Sequence, residues 1–283
     1  MPLLHRPDGL LVPKAPTLRR IMPFLMPTRT EAMVFFEQRI DVEQTLAYVE
    51  ARRAAGDEIN LFQIMLAGLV RILAARPQIH RFVAGRRLYQ RRTIELSFAV
   101  KKAFLDEAKL TTVKVAFEPS DTLDDVARRV REAVGVGKGE PETVSEKEMS
   151  VLSRLPRFAV RGAMAAQRTL DYFNLLPSTM IANDPMYASM FVANLGSIGL
   201  DAAFHHLYEY GTIPLFAAIG RVHKAPVVTD NDQVRARRVV DVRYTFDERI
   251  ADGLYCAHSL ELLRGWIENP RVLERPLDPA SVA

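Results

Sequence analysis

A chain of 283 residues holds one large domain or two ordinary ones, because single cores stop growing near about 250–300 residues. With 48% hydrophobic and 25% charged residues and a mean hydropathy of −0.02, it is neither collagen-like, nor coiled-coil, nor wholly disordered. A single cysteine, Cys256, excludes an internal disulfide or a cysteine-cluster zinc site and fits a reducing compartment, the cytoplasm. The formal charge of +4 comes from 38 Lys+Arg against 34 Asp+Glu, with arginines scattered as short pairs and no nucleic-acid module beside them. Anionic phosphate ligands therefore fit better than nucleic acid. The N-terminus has no continuous apolar stretch and carries prolines, which argues against a signal peptide, and no transmembrane segment is expected.

Residues 1–27 are punctuated by proline and read as an extended arm, with helix only around Leu18 to Leu25. Ala32 to Ile40 reads as a strand. Asp41 then caps a helix with Val42, Leu46 and Val49 on one face, ending at Gly56. Asn60 opens a second helix, apolar on nearly all sides, that Arg76-Pro77 closes. Arg81–Ala84 and Leu88–Gln90 around Gly85-Arg86 predict a hairpin, and Ile94, Leu96, Phe98 and Val100 alternate as a half-buried strand does. A strand near Thr111–Phe117 follows. Thr122 and Asp125 then start a helix whose Leu123, Val126, Val130 and Val134 form one apolar face.

Residues 135–150, rich in Gly, Glu and Lys, read as a mobile loop. Leu152 to Phe173 reads as an amphipathic helix packed on the core with a solvated face of Arg154, Arg157, Arg161 and Arg168. A lipid-surface helix is the weaker alternative, since Pro156 and several alanines dilute its apolar face. The last third predicts strands at Ser189–Leu195, Leu215–Ile219, Val227-Val228 and Arg237–Phe246, with a turn at 230–232. A helix from Leu254 to Ile267 stops at Asn269-Pro270. The domain reading is an arm (1–27), a catalytic domain (28–270) and a tail (271–283).

Three stretches in this order resemble one family, the chloramphenicol acetyltransferases and the catalytic domains of dihydrolipoamide acyltransferases. They are the helix, hairpin and strand from Asn60 to Val100; the strand Ser189–Asn194 running into Leu195-Gly196; and Phe246-Asp-Glu-Arg-Ile-Ala-Asp-Gly253, which is similar to that family's HxxxDG signature. The resemblance implies an α/β two-layer sandwich, a mixed sheet with helices on one side. It also implies a homotrimer with a tunnel at each subunit interface, where coenzyme A or acyl-CoA meets a small-molecule acceptor. No metal and no covalent lipoyl group are expected.

The chain departs from that family at two chemical groups. Glu248 stands where the family has its catalytic His, and Ala193 where it has the oxyanion Ser. Asp252 and Gly253 remain. In the family that Asp holds its loop through an Arg, for which Arg19, Arg20 and Arg29 are candidates. Glu248 becomes a usable base if burial strips its hydration, and an ion pair at a turn is the competing role. Ser189 lies on the same strand face as Ala193, so it is a displaced oxyanion candidate beside Asn194, or else a packed polar residue. His205 and His206 follow the Asn194 turn and are alternative bases, or surface residues. Two functions remain open: transfer of an acyl group from acyl-CoA or another thioester, and an inactive trimeric scaffold or CoA/acyl-binding protein that keeps the fold.

Overall fold

The computed structural model describes residues 5–101, 110–139, 153–228 and 231–278. Nine strands are described: β1 (Gly9–Leu11), β2 (Met33–Asp41), β3 (Arg81–Ala84), β4 (Arg87–Arg91), β5 (Ile94–Lys101), β6 (Leu110–Phe117), β7 (Met190–Asn194), β8 (Leu215–Val228) and β9 (Val234–Asp247). The helices are α1 (Thr17–Leu25), α2 (Glu43–Ala54), α3 (Leu61–Ala75), α4 (Leu123–Gly139), α5 (Arg157–Tyr172), α6 (Ser178–Asn183) and α7 (Gly253–Glu268).

The main sheet has the order β2-β9-β8-β7-β5-β6. It is mixed, with β7 parallel to both β5 and β8 and the other pairs antiparallel. Strand alternation sorts its side chains. Met190, Val192, Ala217, Val242 and Tyr244 join the large core under α2, α3, α4 and α7. Phe191, Phe216 and Ala218 face the other way, where the segment 199–214 covers them with Leu207 and Ile213. Helices therefore lie on one face, and irregular chain covers part of the other.

The start signal of α3 acts as the sequence predicts, whereas α2 starts after Val42, with Asp41 one position earlier accepting from Glu43 N. Asn60 Oδ1 accepts from Gln63 N while Gln63 Oε1 accepts from Asn60 N, both at 3.0 Å, which satisfies two of the orphan donors at the start of α3. Ile64 to Leu73 of that helix are all buried, Arg71 included. Arg71 survives there by donating to the carbonyls of Val272 and Arg275. That contact docks residues 270–274, with Leu273 in the core, so the beginning of the expected tail is part of the fold. The β3–β4 turn has both central residues at positive φ, Gly85 at 53° and Arg86 at 59°. This backbone matches the strand twist of a two-residue hairpin.

Four expectations change. The arm is not loose: β1 pairs with β4, and the buried Arg6 guanidinium bonds Asp8 and Asp171 while lying over the Phe82 and Tyr89 rings. Leu215–Ile219 and Val227-Val228 belong to one strand, interrupted by a register shift between Ile219 and Val222. The helix α4 runs on through Gly139, into the segment read as a loop, whose remainder at 140–150 lies outside the described residues. Finally, α5 buries no residue. Its Gly and Ala positions offer little apolar area, and it is held by polar contacts instead, Gln167 to the Tyr187 hydroxyl (2.6 Å) and Asp171 to Arg6 (2.9 Å).

Candidate active site

The turn after β9 is tied down on all sides. Asp247 is fully buried, and its carboxylate takes both arms of the Arg249 guanidinium, at 2.8 and 2.7 Å. Arg249 also donates to Met26 O at 2.9 Å. The pairing uses the 247/249 side chains against each other and leaves Glu248 out. The backbone of Glu248 is fixed at both ends: its N–H donates to Ala32 O at 2.9 Å, and its carbonyl accepts from Arg19. Its half-buried carboxylate makes no hydrogen bond or ion pair among the described residues. A rigid frame thus presents one uncommitted carboxylate.

Asp252 caps α7, accepting from Tyr255 N at 2.8 Å, and Gly253 begins the helix. Both are exposed. Asp252 forms no ion pair among the described residues, with Arg19, Arg20 or Arg29: Arg19 donates through one Nη to Glu248 O, and Arg29 donates to the carbonyls of Tyr208, Glu209, Val83 and Gly211. One turn on, the buried thiol of Cys256 is pushed up to about 12, chiefly by desolvation and then by Asp252, which makes it a poor nucleophile.

The strand residues lie apart from that turn in role. Ala193 packs its methyl into the cluster around Phe191 and Phe216. Asn194 Oδ1 accepts from Ser197 N at 3.2 Å and starts a 3-10 turn. A Cβ on Gly196 would sit 2.5 Å from Gly220 O, so this turn needs glycine where it meets β8. Ser189 is buried, with its hydroxyl bound to His80 Nε2 (2.9 Å), Thr93 O (3.3 Å) and Glu95 N (3.0 Å). That hydroxyl links two segments and is committed. His80 gives no signal in the sequence, since its partners lie 13 and 109 positions away.

His205 stacks on the Phe216 ring with centroids 3.9 Å apart, and His206 stacks on His205. The Nδ1 of His205 lies 2.7 Å from His206 O. A carbonyl only accepts, so Nδ1 carries the hydrogen and the Nε2 lone pair is left as a base. Burial lowers the His205 imidazole below its ordinary value, which keeps it neutral near pH 7. Thr245 of β9 bonds His205 O, so this imidazole lies over the sheet face that Thr245 shares.

Residues 178–274, about a third of the chain, match the sequence model of the family "2-oxoacid dehydrogenases acyltransferase (catalytic domain)". The fold is that of the chloramphenicol and dihydrolipoamide acyltransferases. A probable dihydrolipoamide acetyltransferase of Listeria monocytogenes superposes with a TM-score of 0.57 at 17% identity, over 91% of this chain and 94% of that one. A chloramphenicol acetyltransferase gives 0.55 at 12% identity, over 92% and 98%. The cubic core of a pyruvate dehydrogenase multienzyme complex gives 0.53 at 14%, over 93% and 94%. A search of curated proteins finds no match. The matched segment begins at α6 and ends on the 3-10 turn after α7, so it contains β7, the Asn194 turn, His205, Glu248 and Asp252. Among the described residues no three His, Cys, Asp or Glu side chains come together as a metal site, and no helix is long and apolar enough to cross a membrane.

Proposed function

We propose that this acyltransferase fold moves an acyl group from acyl-CoA to a small thiol or hydroxyl acceptor, in a homotrimer, with Glu248 as general base. The observation that carries this reading is the Asp247–Gly253 turn. Asp247 and Arg249 pair with each other and Asp252 caps α7, whereas the Glu248 carboxylate, the group standing at the acyltransferases' base position, has no hydrogen bond or ion pair among the described residues. In the proposed step Glu248 takes the acceptor's proton as the acceptor oxygen or sulfur attacks the thioester carbonyl. The tetrahedral intermediate then expels the coenzyme A thiolate, which receives the proton back. With Ala193 lacking a hydroxyl and the Ser189 hydroxyl committed, one oxyanion donor is missing, and slow turnover is expected: a single such donor is worth about 10²–10³ in rate.

Assembly is supported by apolar surface around the same turn. Leu254, next after Gly253, is 69% exposed, and on α1, whose Arg19 holds Glu248, Leu18, Phe24 and Leu25 are 63%, 58% and 67% exposed. A second subunit would cover them and remove water from Glu248, raising its basicity. A cytoplasmic location accords with the lone buried cysteine.

A second reading assigns the base to His205, favoured by the tautomer its Nδ1 bond sets and by an Nε2 without a hydrogen-bond partner among the described residues. The test is release of coenzyme A thiol from acetyl-CoA with a panel of thiols and alcohols. Turnover that Glu248→Gln abolishes supports the first reading, and turnover that only His205→Asn abolishes supports the second. Binding of coenzyme A without any turnover replaces both with a non-catalytic scaffold.

A further inference from the structure

A cavity lies between the β3–β4 turn, the last turns of α5 and residues 209–211, and Arg249 of the Asp247–Gly253 turn borders it. It encloses about 330 Å³, and its charged wall consists of Arg29, Arg86, Arg168, Arg249, Asp171 and Glu209. The wall from α5 precedes the segment 178–274, so this space is not built from the matched acyltransferase residues alone.

The six charges are not equally available. Asp171 is held by Arg6, and Glu209 Oε1 accepts from both Thr30 N and Thr30 Oγ1 at 2.8 Å. Arg249 is occupied by Asp247 and Met26 O. Arg86 and Arg168 form no ion pair among the described residues; the Arg86 guanidinium only lies 5.4 Å over the Phe24 ring. Arg29 is buried, its two Nη atoms are bound to carbonyl oxygens, and its Nε has no hydrogen-bond partner among the described residues. A buried guanidinium with an orphaned N–H is a cost that a native site offsets with an acceptor. Burial already pulls Arg29 below its ordinary value, and Arg249 pulls the same way against Asp247. Four arginines against two acids leave the wall with two excess positive charges. Pro27, Val83 and Tyr172 add apolar surface, and the volume is at the lower end of small-molecule sites, which run from about 300 to 1,000 Å³.

We propose that this cavity binds a small organic dianion, a phosphate monoester or a dicarboxylate, gripped by Arg86 and Arg168 with the Arg29 guanidinium as its floor. Bidentate guanidinium contacts suit both head groups, and the apolar wall takes the organic body. The site is independent of whether Glu248 or His205 acts as a base.

Calorimetric titration of the full chain with phenyl phosphate, succinate and acetate at constant ionic strength tests it. Saturable binding of phenyl phosphate or succinate is expected, with acetate weaker by about tenfold or more. The stronger of the two dianions identifies the head group. Arg168→Gln and Arg86→Gln, both at the solvent side of the cavity, should each weaken binding about tenfold without changing the ligand-free Tm. Arg154→Gln, an equal charge change away from the cavity, should leave affinity unaltered. No saturation with any probe, equal binding of acetate, or an Arg154→Gln loss as large as that of Arg168→Gln overturns the proposal.

Discussion

Acidification should destabilise this protein through His80. Its Nε2 lies 3.1 Å from Thr93 O and 2.9 Å from Ser189 Oγ. Because the carbonyl only accepts, Nε2 carries the hydrogen, and a second proton has to enter at Nδ1, which has no partner among the described residues. Burial, assisted by the charge of Arg91, holds this imidazole at about 3 against an ordinary 6.5. Between those two values the unfolded chain binds a proton that the folded chain refuses. Stability is therefore fully present above pH 6.5 and falls as the pH drops toward 3. At about pH 5 the loss relative to about pH 7.5 works out at about 2 kcal/mol, from 1.4 kcal/mol per pH unit below the unfolded value. Urea unfolding at those two pH values and one protein concentration measures it, with His80→Gln as the reference that cannot titrate but keeps a polar group for Ser189. The wild type should lose about 2 kcal/mol more than the variant over this interval. Equal losses in the two proteins, or an imidazole proton signal of His80 that titrates near neutrality, would refute the reasoning.

Glu248→Gln keeps shape and removes the base, so the rate of acyl transfer should fall about 10²–10⁴-fold with Tm little changed; a mild effect, paired with a large one for His205→Asn, moves the base to His205. Light scattering should return three times the chain mass, and a monomer at micromolar concentration would remove the interface site. Arg249→Met leaves the fully buried Asp247 carboxylate without its fork and should cost about 3–5 kcal/mol in urea unfolding. Gly85→Ala combines a φ of 53° with a Cβ placed 2.2 Å from Tyr172 O, and should cost about 1–3 kcal/mol while displacing the end of α5, which faster proteolysis of that helix would reveal.

How far the sequence reaches is set by the range of each interaction. The Asn60 and Thr122 capping boxes join residues three apart, the β3–β4 turn is two residues at positive φ, and the alternation of Ile94 to Val100 repeats every second position. Each is a local rule, so a single sequence displays it. The motif around Glu248 is also local, and its order after β7 and β8 made the fold legible. What tertiary structure decided is pairing between segments with no shared local signal. The Ser189 hydroxyl looks available until His80, 109 positions away, occupies it. The arm looks loose until Arg6 meets Asp171 across 165 positions. The helix α5 has an amphipathic pattern, yet the pattern says only that one side differs from the other, and packing left both sides out of the core. The arginine-lined cavity draws on α5, the β3–β4 turn and the loop after His206, three elements whose neighbourhood no spacing encodes. Hydrophobic alternation determines which way a side chain points relative to its own strand or helix; what it then touches is determined by the whole fold, because burial and charge pairing are energies between distant parts of the chain.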